Sequence, residues 1–336
     1  MSLYKAETRR LVKRRFTKLF TLGVLLALAA VLAGVFLSNE KVGPEQIAAA
    51  QAEARAEYQR ILADLERARQ DCEAVQGTPR ASEFPANCAE LQPPPEDQID
   101  PQWFMPPTFD FRKNFPDMVT TLGALVAVLA FVVGASFVGA EWNSGGMMNL
   151  LLWRPQRLRV LTAKLAALLV SFAGFFVALA AAWTGAFVLV AKLHGSTASM
   201  TGGAWQSIGL MGLRALAMVL VAAALGFGLA SLGRHTAMAL GVMIGVIIVF
   251  QFGLGTVLNL AKVKFADAYL IPVWVIAWLN KEYKIEDYNS CDFSAFGGCQ
   301  PPIFTITWQM AGGVMAAVFV AIVGAAMWTM RKRDIT

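Results

Sequence analysis

The sequence predicts an all-α polytopic membrane protein with six transmembrane helices, on three observations. Hydrophobic residues make up 57% of the 336-residue chain and charged ones 15%, too small a polar complement to cover a soluble protein of this size. Apolar runs long enough to cross a hydrocarbon core of roughly 30 Å, which takes roughly 20 helical residues, account for most of the chain. The charges that remain are sorted by sign between alternate connections, as the positive-inside rule requires.

Residues 1–18 set Leu3, Leu11, Val12 and Phe16 at helical spacing among Lys5, Arg9, Arg10, Lys13, Arg14, Arg15 and Lys18. That pattern suits an interfacial elbow helix lying on the inner face before the chain turns into the bilayer. A plain positive-inside anchor is the competing reading. Spans are expected at 19–37, 119–138, 160–190, 207–232, 236–260 and 303–330. Six spans put both termini on one side. Arg331, Lys332 and Arg333 in the tail 331–336, with Arg154, Arg157, Arg159 and Arg234 in connections on that side, make it cytoplasmic. The net charge of +6 is then a property of the cytoplasmic face and not a nucleic-acid footprint. The cationic start also resembles a signal peptide, but 19–37 exceeds an h-region of roughly 7 to 15 residues and lacks a convincing cleavage site, so a retained anchor is expected.

The segment 38–118 is acidic, with Glu40, Glu45, Glu53, Glu57, Asp64 and Glu66 among its carboxylates, and is expected outside as an extracytoplasmic helical loop. Its helix runs over 44–75. Pro44 suits a first turn, Glu57, Arg60, Asp64 and Arg67 are spaced for exposed pairs, and Ile47, Ala54, Ile61, Leu65, Ala68 and Cys72 form a weak apolar stripe for a partner. After Gly77 the chain turns rich in Pro, Glu and Phe and reads as extended loop. Trp103, Phe104, Phe109, Phe111 and Phe115 are expected at the outer headgroup level, an aromatic substrate entrance being the alternative.

In the segment 261–302, Asp267–Leu279 is too short to cross and contains Pro272, so it dips in and returns or lies in the interface as a non-spanning outer segment. The four cysteines agree with this topology, since Cys72 and Cys88 lie in the first outer region and Cys291 and Cys299 in the second. Thiols confined to the oxidising side point to disulfides, and the local pairs Cys72–Cys88 and Cys291–Cys299 cost the least chain distortion. Neither pair has the tight spacing or histidine company of a zinc site, so no metal is expected.

No GxxxxGK[ST] phosphate loop, HExxH helix or GxSxG elbow occurs, so no catalytic residues are assigned and the chain cannot hydrolyse ATP by itself. The segment 139–159 is different. Glu141 and Trp142 end the second span, Gly145 and Gly146 allow a sharp turn, and MMNLLLW is an amphipathic run stopped near Pro155. Such a run makes a short helix parallel to the membrane. Its apolar side chains, Leu151 among them, suit a cleft on a cytoplasmic partner, with Arg154, Arg157 and Arg159 at the rim. An ordinary positive-inside loop is the competing reading.

With Glu141, Gly145, Leu150–Leu152, Pro155, Arg157, Arg159 and Lys164 in this order, the chain resembles the permease subunits of type 2 ATP-binding-cassette exporters. Gly146 stands where threonine is more usual, and the loop after the first span is longer than usual. The resemblance also extends to the elbow helix, the six spans and the non-spanning outer segment. It implies that 139–159 is a coupling helix docked on a separate cytoplasmic ATPase. It further implies a second permease copy or paralogue, ATP and Mg held by the ATPase, and no cofactor on this chain.

Arg214, in LMGLRALAMV, is the clearest intramembrane charge, either lining a polar path or snorkelling to the outer headgroups. Gln251 and Asn259 in the fifth span are either substrate contacts or helix-packing hydrogen bonders. So few charges favour a hydrophobic or amphiphilic cargo (drug, lipid or peptide) over a small ion, crossing a bacterial cytoplasmic membrane by export. The alternative function is an ATPase-coupled protein that acts mechanically, or as a sensor, through its extracytoplasmic helix.

Overall fold

The computed structural model describes residues 3–76, 85, 87–95, 98–153, 156–288, 292–294 and 298–332. Its helices are α1 (Leu3–Lys13), α2 (Arg15–Ser38), α3 (Pro44–Val75), α4 (Phe111–Asn143), α5 (Gly146–Trp153), α6 (Arg157–His194), α7 (Gly202–Gly233), α8 (Thr236–Val246), α9 (Gly255–Leu260), α10 (Ile271–Asn280) and α11 (Trp308–Lys332). A π-helical stretch, Ile247–Leu254, joins α8 to α9 into one rod. Among the described residues six helices are long and apolar enough to cross a membrane: α2, α4, α6, α7, the α8–α9 rod and α11.

The chain divides into two compact units. In the larger, residues 1–32, 112–187 and 200–336, α4 and α7 are central. In α4, 78% of the most apolar stretch is buried and in α7 56%, against 6% in α2, 6% in the α8–α9 rod and 11% in α11. The α4–α7 contact is made by backbone. A Cβ on Gly134 would sit 2.3 Å from the Ala223 carbonyl oxygen, and one on Gly226 would sit 2.1 Å from that of Phe131. Small residues that let helix backbones meet are how apolar helices associate where lipid gives no hydrophobic drive.

The second and sixth spans begin elsewhere than the hydropathy suggests. Helix α4 starts at Phe111 and includes Pro116 in its second turn, where the ring nitrogen forgoes one backbone hydrogen bond without ending the helix. The extension carries Phe115, which packs on Phe187 with ring centroids 5.8 Å apart, while the Trp183 indole donates to the Met118 carbonyl at 3.1 Å. Phe109, Phe111 and Phe115 are 2%, 0% and 0% exposed, so the expectation of headgroup-level anchoring fails for these three. Only Trp103, 73% exposed, is free of the core in the way an interfacial anchor would be.

The stretch Ile303–Thr307, expected to open the last span, is instead strand β6, paired antiparallel with β3 (Glu282–Glu286). Alternating Ile, Phe and Thr favour a pleated, half-buried surface, and Ile285 and Ile306 point into a small core with Val273, Ala277 and Ala311. Helix α10 lies in this core, in the place expected of the non-spanning segment.

The second unit comprises residues 33–111 and 188–199. Helix α3 starts on Pro44, with the Gln46 side chain accepting from the Gly43 N–H at 2.9 Å, and carries the pairs Arg60–Glu57 at 3.1 Å and Arg67–Asp64. Ala50, Ala54 and Cys72 are buried, and α3 packs on the 3₁₀ turns Cys88–Glu90 and Pro101–Phe104 of its own chain, whereas Ile47 stays 42% exposed. A disulfide joins Cys72 to Cys88, and Arg69 donates to the Leu91 carbonyl at 2.8 Å. Two-residue strands β1 (Phe109–Asp110) and β2 (Gly195–Ser196) pair in parallel in the same unit. Strands β4 (Asp292–Ser294) and β5 (Gly298–Gln300) form a short antiparallel ladder, and the proposed partner of Cys299, Cys291, lies outside the described residues.

Candidate functional site

The end of α4, the start of α6, α1 and the junction of α1 with α2 share one cluster of charge. Lys164, about two turns into α6 and fully buried, holds two carboxylates: Glu7 Oε2 from α1 at 2.6 Å and Glu141 Oε2 from α4 at 2.7 Å. Glu141 turns its other oxygen to Arg14 Nη2 at 3.1 Å, and Glu7 its other oxygen to Arg10 Nη1 at 3.1 Å. Arg14 sits in the break between α1 and α2, and its Nη1 donates to the Ser136 carbonyl at 2.9 Å. The Phe137 ring lies beneath both cations, 5.3 Å from the Arg14 guanidinium carbon and 5.1 Å from Lys164 Nζ.

Glu7 and Lys164 are each 0% exposed. Charges removed from water this far persist only when paired and hydrogen-bonded, and here every carboxylate oxygen has a cation. Breaking one contact strands a charge, so three helices are fastened into one piece at this end. Sequence reading found Glu141 and Lys164 but missed Glu7 and Arg14 as their partners. The available signal was that Glu7 is the lone acid among the cations of residues 1–18.

The α4–α5 turn works by backbone. Gly145 has φ +71°, the left-handed region that costs a side-chain-bearing residue about 1–2 kcal/mol. Its N–H bonds the Trp142 carbonyl at 3.2 Å, and its carbonyl starts α5 by accepting from Asn149 at 3.1 Å. Gly146 is not strained. A Cβ there would meet Ser144 Oγ at 3.4 Å and the Glu141 carbonyl at 3.7 Å, ordinary contacts, so the turn rests on Gly145 and not on what stands at 146. Met147, the second residue of α5, is fully buried. Leu151 lies in α5, Pro155 lies outside the described residues, Arg157 opens α6, and Arg159 donates to Gln156 at 3.1 Å.

Trp142 ties this end of α4 to the α7–α8 turn. The Arg234 guanidinium lies 5.1 Å above its ring, and a Cβ on Gly139 would come within 2.4 Å of the Thr236 nitrogen. The Trp142 indole N–H is buried without a hydrogen-bond partner among the described residues.

Arg214, Gln251 and Asn259 are not brought together. Arg214 Nη1 donates to the Leu279 carbonyl at the end of α10 at 3.2 Å, its carbonyl accepts from the Trp278 indole at 2.8 Å, and its guanidinium lies 5.3 Å over the Trp308 ring. Asn259 donates to the Gly255 carbonyl of its own helix at 2.9 Å. Gln251 sits in the π-helical stretch with its amide oxygen buried and unpartnered among the described residues. Among the described residues no group of three or more His, Cys, Asp or Glu side chains is disposed to hold a metal.

Six apolar helices, with a short helix set between two of them and a buried ionic cluster joining α1, α4 and α6, define a multi-pass membrane protein. Residues 1–327 match the family model described as ABC-2 family transporter protein, and the chain belongs to that family as a type 2 permease. No curated relative matches the chain. Membership implies association with an ATP-binding-cassette ATPase subunit, this chain being the membrane subunit.

Proposed function

We propose that the chain is the transmembrane subunit of an exporter that moves a hydrophobic or amphiphilic compound across the cell membrane, driven by ATP hydrolysed on the separate ATPase. Both termini and α5 face the cytoplasm, α5 docks on the ATPase, and two permeases share the assembly. The observation that carries this reading is the ionic joint between α4 and α6, the helices on either side of α5. When α5 is displaced by closure of the ATPases, α4 and α6 on either side of it cannot move independently, because Lys164 bridges α6 to α4 through Glu141 and to α1 through Glu7. The displacement therefore becomes a movement of whole helices. Of Arg214, Gln251 and Asn259, Gln251 is the one with a buried acceptor that has no partner among the described residues, in a π-helical stretch of the kind that often marks functional sites.

A second reading draws on α3, a 32-residue helix tied down by a disulfide near its end. In it the same ATP-driven movement acts on an envelope partner and nothing is transported. The test for the first reading begins with affinity capture of the tagged chain from native membranes, in which an ATP-binding-cassette ATPase is expected to co-purify. In that complex, Glu141→Ala with Gly145→Val should abolish cargo-stimulated ATP turnover while membrane insertion persists. Unchanged turnover would sink the coupling role, and activity lost on deletion of residues 44–95 while cargo still crosses vesicles would favour the second reading.

A further inference from the structure

An open groove of about 420 Å³ lies between the first turns of α2, the end of α1 and the middle of α6. Its size is within the roughly 300–1,000 Å³ of small-molecule sites. The lining is graded along α2. Thr17, Lys18 and Thr21 come first, next to the basic junction with α1, and Leu22 and Leu25 follow deeper in the span, faced by Phe172 and Phe175 of α6.

The polar end has unspent bonding capacity. Helical threonines elsewhere in the chain return their hydroxyl to the carbonyl one turn back: Thr120 to Pro116, Thr162 to Leu158 and Thr184 to Ala180. Thr17 and Thr21 form no such bond among the described residues, although they are half-buried one above the other on one helix face. Lys18 is exposed, and neither it nor its neighbours Lys13 and Arg15 enters an ion pair among the described residues, in contrast to Arg10 and Arg14. Two free hydroxyls and a free ammonium beside an apolar channel match the order of groups in a membrane lipid.

We infer that this groove is a binding site for an anionic glycerophospholipid. One acyl chain lies against Leu22, Leu25, Phe172 and Phe175. The phosphate meets Lys18, and the glycerol-ester and phosphate oxygens accept from Thr17 and Thr21. Such a lipid seals α1 and α2 to α6 beside the ionic joint. The inference depends only on the chain spanning a bilayer, not on the direction of transport or the cargo.

The test uses the full chain, purified in detergent and stripped of lipid, titrated with phosphatidylglycerol or phosphatidylcholine of identical acyl chains and read by native mass spectrometry. Wild type should retain phosphatidylglycerol over phosphatidylcholine by about fivefold or more, the ratio that one cation at a membrane surface is worth. Lys18→Gln should bring the ratio to about one, while Lys5→Gln, on an exposed cation outside the groove, should leave it unchanged. Thr17→Val with Thr21→Val, and separately Ser171→Phe to fill the groove, should lower retention of both lipids with the unfolding temperature held. Equal retention of the two lipids by wild type would overturn the assignment. So would a Lys5→Gln effect as large as that of Lys18→Gln, or full retention by Ser171→Phe, and this last variant is decisive even if Lys18→Gln fails to insert.

Discussion

Lys164 and Arg214 are both cations set into apolar helices, and the chain satisfies them by different means. Lys164 is fully buried between carboxylates from two other helices. Arg214 spends its charge on a neutral carbonyl at the end of α10, where the helix dipole favours a cation, and on the face of Trp308. The first arrangement couples three helices through charges that cannot be left alone. The second fastens one short helix through groups that survive on their own. A charge in a greasy helix is therefore not by itself a marker of a transport path; what decides its role is whether its partners are ionic and which elements they come from.

The contrast predicts unequal penalties. Removing one member of a buried ion pair costs roughly 3–5 kcal/mol because the partner charge is stranded. Lys164→Met should therefore lower the thermal unfolding midpoint of the detergent-solubilised chain sharply, or abolish recovery of monodisperse protein. Adding Glu7→Gln should return part of the loss, since it removes one stranded carboxylate while Glu141 keeps Arg14. A double variant no better than the single would break the claim that stranded charge is the cause. Arg214→Met leaves only the Leu279 carbonyl without its donor, because the Trp278 indole still reaches the main-chain carbonyl of residue 214, and should cost less, about 1.5–3 kcal/mol for a charge-assisted hydrogen bond. Arg214→Lys retains a donor for Leu279 but not the flat stacking on Trp308, and its midpoint should fall between wild type and Arg214→Met. If Arg214→Met proved as damaging as Lys164→Met, the two sites would not differ in the way described.

How far these roles were legible depends on what each residue's partners are. The spans were legible because hydropathy is a property of the residue itself, and the resemblance around Glu141 and Gly145 located the α4–α5–α6 turn. The partners were less so. Glu7 and Lys164 are separated by 157 positions, and pairing over such a distance leaves no local pattern beyond an odd acid among bases. Phe111 and Phe115 looked interfacial because Pro116 and the prolines before it read as loop, yet α4 runs through Pro116 despite the hydrogen bond it forgoes, and both rings are buried. Arg214 suggested a path because its partners are a carbonyl and rings contributed by α10 and α11, and a backbone acceptor has no signature in sequence.

Outside the spans, a third charged contact tests the same logic at its weakest. The exposed Tyr288 hydroxyl donates to Glu286 Oε2 at 2.5 Å, and that hydrogen bond, with the repulsion between the carboxylate and a phenolate, raises the Tyr288 pKa above the usual 10.0. The sign follows from which form the contact favours. The protonated phenol is stabilised in the folded chain, so the contribution is fully present below the pKa of an unfolded tyrosine and is lost as pH rises through the higher folded value. With both side chains in solvent, screening leaves the contact little weight, and Tyr288→Phe should not move the unfolding midpoint measurably at neutral pH. The same variant should remove from the ultraviolet absorbance titration a component that ionises above 10.0. Loss of a component at or below that value would mean that the Glu286 contact does not form in solution, and that a carboxylate partner must be buried, as at Lys164, before it fixes the behaviour of its neighbour.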